Sequence, residues 1–186
     1  MEDKDEILRE RMKAVATEYI EKGDYTGWFE EVYRETEHDS ELIPWVDMEP
    51  NRFLVEWNET ANLKGEGRKA LVVGCGLGDE AKFLDELDFD VTAFDVSEKA
   101  IEIAKKIHKD TEINFFTANL FEPPAEWNKA FDLVVEVYTI QALPPDVRKE
   151  TIDAISEFVS ENGELTVVQR PRVNGEEPEA LPWALS

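Results

Sequence analysis

The sequence predicts an α/β fold: a doubly wound sheet of parallel strands with helices on both faces, preceded by a helical N-terminal segment. Three observations carry that expectation. From Lys69 onward, short valine-rich runs alternate with amphipathic helical stretches, the pattern of a parallel sheet wound by helices. The first of those runs turns into a helix through Gly74, Gly76 and Gly78. The chain has 186 residues, 42% of them apolar and 10% aromatic, enough to bury a core without cross-links.

Along the preface, Ile7, Leu8, Met12, Val15, Tyr19 and Ile20 recur at helical spacing over 5–21, and Gly23 ends the run. A second helical segment, from Trp28 to about Glu35, brings Trp28, Phe29, Val32 and Tyr33 to one side. Pro44 and Pro50 punctuate a loop before a third helix through Phe53, Leu54 and Trp57, and the GEGR stretch at 65–68 is a turn. Residues 1–69 therefore read as a helical cap of the same domain, and 70–186 as its core.

ALVVG (70–74) has the unbroken apolar character of a strand buried on both faces. A helix is expected over about 79–88, a strand over 90–97, a helix over about 97–109 and a third strand over 113–119. FDLVVEVY (131–138) is the fourth strand. Pro144-Pro145 opens a helix carrying Val147, Ile152, Ile155, Phe158 and Val159, capped by Asn162-Gly163, and ELTVVQ (164–169) is the fifth strand.

A formal net charge of −23, spread along the chain, repels phosphate backbones and anionic lipid, which argues against nucleic acid and membrane as partners. No apolar stretch approaches the roughly 20 residues that span a bilayer, and the charged N-terminus has no signal core. The expected setting is cytoplasmic. One cysteine, Cys75, excludes an internal disulfide and any multi-cysteine metal site, and no metal is expected. His38 and His108 lie in charged segments; His108, beside Lys105, Lys106 and Lys109, reads as a solvated face or helix C-terminus.

The glycine loop carries the chemistry. Glycines permit positive φ and let a ligand approach the backbone. Asp95, at the end of the second strand and 17 residues after Gly78, can accept both ribose hydroxyls of an adenosine. The spacing is G-x-G-x-G followed by Asp79 and Glu80, whose carboxylates oppose a pyrophosphate. A cofactor with a sulfonium and no phosphate, S-adenosylmethionine, fits better than a dinucleotide.

The segments ALVVGCGLGDEAKFL, VTAFDVSEKAIEIAKK, FFTANLFEPP, FDLVVEVYTIQALPPDVRKE and GELTVVQ resemble the successive motifs of class I S-adenosylmethionine-dependent methyltransferases, over about residues 70–170. Within that class the chain is most similar to the thiopurine methyltransferase-like small-molecule branch, through its Trp28 segment, QALPPDVR and the late LPW. The resemblance implies a Rossmann-like sheet. It implies that Gly74, Cys75, Gly76, Leu77 and Gly78 line the methionine part of the cofactor, that Asp95 holds the ribose, and that Val96 lies against adenine. Asn119 and Leu120 match a position where many members have an acid bonding the adenine amino group; an amide oxygen can accept that bond without charge. Glu136, Val137 and Tyr138 would sit beside the transferred methyl group, and Arg148 near the acceptor.

Plainer roles remain open for each of these. Cys75 is a packing residue or a nucleophile; Glu136 is a cofactor contact or a general base; Tyr138 is catalytic or only covers the site. Trp28, Tyr33 and Trp45 either form the core of the preface or wall the acceptor, where cation–π attraction to a sulfonium would help. Arg148 is a substrate anchor or an ordinary surface cation. The expected reaction is in-line methyl transfer to a small acceptor such as a thiol or another soft nucleophile, which needs little help from a base. EVYT at the fourth strand, in place of an Asn/Asp-Pro-Pro-Tyr/Phe tetrad, argues against nucleobase or amide nitrogen.

Two rivals are an NAD-dependent Rossmann oxidoreductase and a non-catalytic cofactor-binding module. Class I methyltransferases usually continue after the fifth strand with a helix and a two-strand hairpin, for which QRPRVNGEEPEALPWALS is too short. A trimmed form is therefore expected, with an exposed edge at strand five able to pair as a homodimer.

Overall fold

The computed structural model describes residues 4–36, 43, 45–172 and 181–185. Three helices come first: α1 (Lys4–Glu21), α2 (Gly27–Glu35) and α3 (Arg52–Ala61). The core then runs β1 (Lys69–Val73), α4 (Asp79–Glu86), β2 (Asp90–Asp95), α5 (Glu98–Ile107), β3 (Asn114–Thr117), β4 (Phe131–Val137), α6 (Arg148–Ser156) and β5 (Val159–Val168). The five strands form one sheet in the order β3-β2-β1-β4-β5, and every pairing is parallel. The chain starts at the centre and reverses direction between β1 and β4, the switch point where doubly wound sheets hold ligands.

Strand periodicity divides the core into two layers. Ala70 and Val72 face one side with Leu84, Ala104 and Leu54, which brings the preface helix α3 onto the sheet. Leu71 and Val73 face the other with Trp127, Phe158 and Ile155 of α6. The preface is also tied by polar contacts. Glu30 of α2 accepts hydrogen bonds from the Ser97 hydroxyl at 2.6 Å and the Lys99 amide at 3.0 Å, across the first turn of α5.

The last helix ends earlier than its periodicity predicts. α6 stops at Ser156, and a turn through Phe158 leads straight into β5: Phe131 N–H donates to Phe158 O at 3.1 Å, and Val159 pairs with Phe131. Asn162 and Gly163 are not a cap but part of β5, at an irregularity in its register between Phe131 and Leu133. Gly163 suits that place because a Cβ there would lie 2.7 Å from Phe131 O, so no larger residue allows the strands to close.

Candidate functional site

The carboxyl ends of β1, β2 and β4 meet at the glycine loop. Leaving β1, the backbone bends through Gly74, Gly76 and Gly78 at φ of 60, 51 and 94°, and α4 starts at Asp79. Asp95, only 7% exposed at the end of β2, ties this loop down. Its Oδ2 accepts from the Gly76 amide at 3.0 Å and its Oδ1 from the Ser97 amide at 2.9 Å. Burial raises the proton affinity of this carboxyl, and the backbone amides oppose that rise. Each oxygen keeps a second acceptor direction, the arrangement that suits a vicinal diol.

The loop is packed by the protein's own side chains. A Cβ at Gly76 would lie 2.9 Å from the Tyr33 hydroxyl, and one at Gly78 would lie 2.9 Å from the Phe115 ring. At Gly74 it would run into Thr139 Oγ1, which donates to Val73 O at 3.2 Å. Tyr33, 1% exposed, accepts a hydrogen bond from Trp45 Nε1 at 2.9 Å, so α2 and the Trp45 turn both reach the loop. Trp28 stands behind them: it meets Trp45 edge-on at 5.9 Å and packs with α1, away from the glycines.

Cys75 is 4% exposed, and burial, followed by the Asp95 charge, pushes its thiol well above the ordinary range. That environment suits packing and not nucleophilic attack. Asp79 and Glu80 begin α4; burial raises the proton affinity of both, and Glu80 Oε1 accepts from the Asn51 amide at 3.1 Å. Val96 is half-buried and follows Asp95 directly. Asn119 uses its side-chain oxygen on the Phe121 amide at 3.0 Å, and Leu120 packs with the Phe94 face of the sheet.

At the end of β4, Glu136 pairs in register with Val73, next to the start of the loop, and is fully buried. Its Oε1 accepts from the Ile140 amide at 2.9 Å and from Gln169 Nε2 at 2.7 Å. No cation meets it in these bonds, and burial raises its pKa to about 7. Val137 follows, and Tyr138 then adopts φ of 63°, a conformation that costs a bulky side chain energy. The Arg170 guanidinium lies 5.6 Å from the Tyr138 ring centre. Both residues border an open groove of about 960 Å³ between α3 and β5, which also takes in Arg52, Trp57 and Gln169. Arg148 stands apart, donating from Nη2 to Trp183 O at 3.1 Å and so holding the 181–185 segment.

Thr139 and Gln169 went unmarked in the sequence, and His108 was marked there only as a solvated face or helix C-terminus. His108 is not on a solvated face: its Nε2 lies 3.0 Å from Leu77 O, and its ring stacks on Phe115 at 5.8 Å. It does close α5, as a helix C-terminus should. No sequence spacing signals these contacts, because each joins positions at least 31 residues apart. Along β5, pairing is to β4 alone among the described residues. No described helix is long and apolar enough to cross a membrane.

Residues 70–163 match the family described as methyltransferase domain. Thiocyanate methyltransferase 1 of Arabidopsis thaliana is 26% identical over 135 residues, covering 72% of this chain and 59% of that protein. Its Brassica oleracea counterpart is 26% identical over 132 residues, covering 70% of this chain and 58% of that one. The chain thus spans a little under three-fifths of these relatives' length. A solved protein of Pyrococcus horikoshii superposes with a TM-score of 0.55 at 19% identity, covering 66% of this chain and 60% of that chain.

Proposed function

Since the chain belongs to the methyltransferase-domain family, we propose that it moves a methyl group from S-adenosylmethionine to a small acceptor, a thiol or another soft nucleophile. The observation that carries this reading is the Asp95 carboxylate clamped between the Gly76 and Ser97 amides, with acceptor directions left over for a ribose diol. The loop fits the cofactor's charge as well. Asp79, Glu80, Asp95 and Glu136 surround it with carboxyl groups, which suit a sulfonium and an ammonium and oppose a pyrophosphate. The thiocyanate methyltransferases support a soft acceptor.

When bound, S-adenosylmethionine supplies a methyl group made electrophilic by its sulfonium. Gly74, Cys75, Gly76, Leu77 and Gly78 then border the methionine part, Asp95 accepts from the ribose hydroxyls, and Val96, Asn119 and Leu120 border adenine. Tyr33 and Trp45 close over the loop and exclude water, and Trp28 backs them. Glu136, Val137 and Tyr138 flank the reacting side. A thiolate acceptor arrives deprotonated, so Glu136 acts as proton acceptor only for a protonated nucleophile. Alignment and desolvation are the chain's main contributions. Arg148 serves the acceptor side indirectly, through the 181–185 backbone that it holds.

Residues 1–69 serve as the cap of this domain and 70–186 as its cofactor-binding core. The setting proposed is cytoplasmic; the net charge of −23 argues against nucleic-acid partners, and the one-sided pairing of β5 supports a homodimer joined along that strand. The test is a calorimetric titration with S-adenosylhomocysteine, then a methyl-transfer screen over thiols, halides, metalloid anions and small phenols. Saturable binding and transfer to the soft acceptors are expected. Tight NADH binding without S-adenosylhomocysteine binding would return the sheet to the oxidoreductases.

A further inference from the structure

We propose that His108 is a positioning residue that locks the glycine loop in its ligand-holding shape. The proposal rests on the loop being the cofactor site, and its test separates the two. His108 closes α5, where its own amide bonds Ala104 O at 2.9 Å. From there its ring crosses to the loop between β1 and α4, and Nε2 sits 3.0 Å from Leu77 O. A carbonyl only accepts, so Nε2 carries the proton.

The ring is held for that bond by packing. It lies nearly parallel to Phe115 of β3, at 17° and 5.8 Å between centres. Both rings press on Gly78, where a Cβ would lie 2.9 Å from Phe115 and 3.0 Å from His108 Cδ2. The last glycine of the motif is therefore needed by this ring pair, whatever a ligand requires of it. The loop is fastened from both flanks: its Gly76 amide is bound to Asp95, and its Leu77 carbonyl to His108. Between these ties the Gly78 amide bonds back to Cys75 O at 2.8 Å. Releasing Leu77 O frees the peptide that links Leu77 to Gly78, and with it the Gly78 amide that closes the turn on Cys75 O; the Gly76 amide, earlier in the same turn, then loses the support that aims it at Asp95. A loop that must be ordered by its ligand binds more weakly than one already in shape.

Three variants separate the hydrogen bond from the packing. His108→Gln keeps an N–H within reach of Leu77 O; His108→Phe keeps a ring against Phe115 but has no donor; His108→Ala has neither. Two readouts are used: amide hydrogen exchange at Gly76 and Gly78 without cofactor, and calorimetric affinity for S-adenosylhomocysteine. In H108F and H108A, exchange at both amides rises about tenfold and affinity falls about three- to tenfold, the weight of one hydrogen bond. H108Q stays close to the parent protein in both. Affinity follows the donor and not the melting temperature: H108Q loses the ring packing yet keeps affinity, and H108F keeps the ring yet loses it, whereas a merely structural role would make affinity follow melting temperature across the three variants.

Unchanged exchange and affinity in H108F and H108A, with the parent protein binding S-adenosylhomocysteine, would overturn the proposal and leave the cofactor reading standing. A parent that binds none, with exchange responding as described, would overturn the cofactor reading and leave the lock. Failure of both readouts would remove both.

Discussion

The loops that follow β1 and β4 begin on neighbouring strands, beside the register pair Val73 and Glu136, yet they are built in opposite ways. The β1 loop makes each of its left-handed turns at a glycine and ties its amide and carbonyl groups to Asp95, Cys75 and His108. After β4 the left-handed position is taken by Tyr138, and the preceding carboxyl, Glu136, is fully buried with an amide from Gln169 as partner. One loop is relaxed and filled by its own side chains. The other carries strain and a displaced proton equilibrium beside an open groove. A loop of the first kind suits holding a ligand common to many enzymes; one of the second kind suits the reacting side.

The contrast can be broken first at Gly78. Gly78→Ala places a Cβ at φ of 94° against Phe115 and His108, so strain and overpacking together cost roughly 2–4 kcal/mol. Chemical denaturation measures it, and a loss below about 1 kcal/mol would mean the loop is less tightly filled than described.

Glu136 is the next test. Its folded pKa of about 7 lies above the usual 4.5, so the folded state holds a proton that the unfolded chain has released across this window. The contribution is complete below pH 4.5 and is lost as pH rises through 7. The slope integrates to roughly 3 kcal/mol at most. Glu136→Gln, followed by denaturation from pH 4 to 8, flattens that part of the curve; an unaltered profile would assign the dependence to other groups.

Asp95→Asn comes third. One of the two clamped amides then faces an NH2 group, and affinity for S-adenosylhomocysteine falls about ten- to a hundredfold by calorimetry. The smallest effect is expected at Tyr138. Tyr138→Asn accepts φ of 63° readily, so relieved strain offsets lost packing and stability stays within about 1 kcal/mol, while methyl transfer drops. A variant with full activity would make Tyr138 a bystander.

The same contrast marks what could be read in the amino acids. Strands β1 to β4, the glycine turns and the place of Asp95 were legible, because a buried apolar run and a glycine before a helix are local signals. The end of α6 was not: Ile152, Ile155, Phe158 and Val159 keep a helical spacing, and only bonding to Phe131 turns Phe158 out of the helix and makes Val159 the first residue of β5. His108 was legible as a helix C-terminus but not as a contact of the glycine loop, for the same kind of reason. Its lysine neighbours suggest solvent, while its partners lie on other elements, Leu77 in the loop after β1 and Phe115 on β3. Tyr33 and Trp45 stood out as aromatics in the sequence, but their reach to Gly76 depends on how the preface docks. Periodicity reports an element's own burial, and long-range hydrogen bonds decide which side chains arrive at the site.

The most direct test of the central claim, that the loop after β1 and Asp95 form an S-adenosylmethionine site, is one calorimetric experiment. The parent protein and Asp95→Asn are titrated in parallel with S-adenosylhomocysteine and with NADH. One saturable site for S-adenosylhomocysteine, weakened at least tenfold in D95N, with no heat from NADH, is the predicted result. Equal binding by both proteins, or binding of NADH alone, would contradict it.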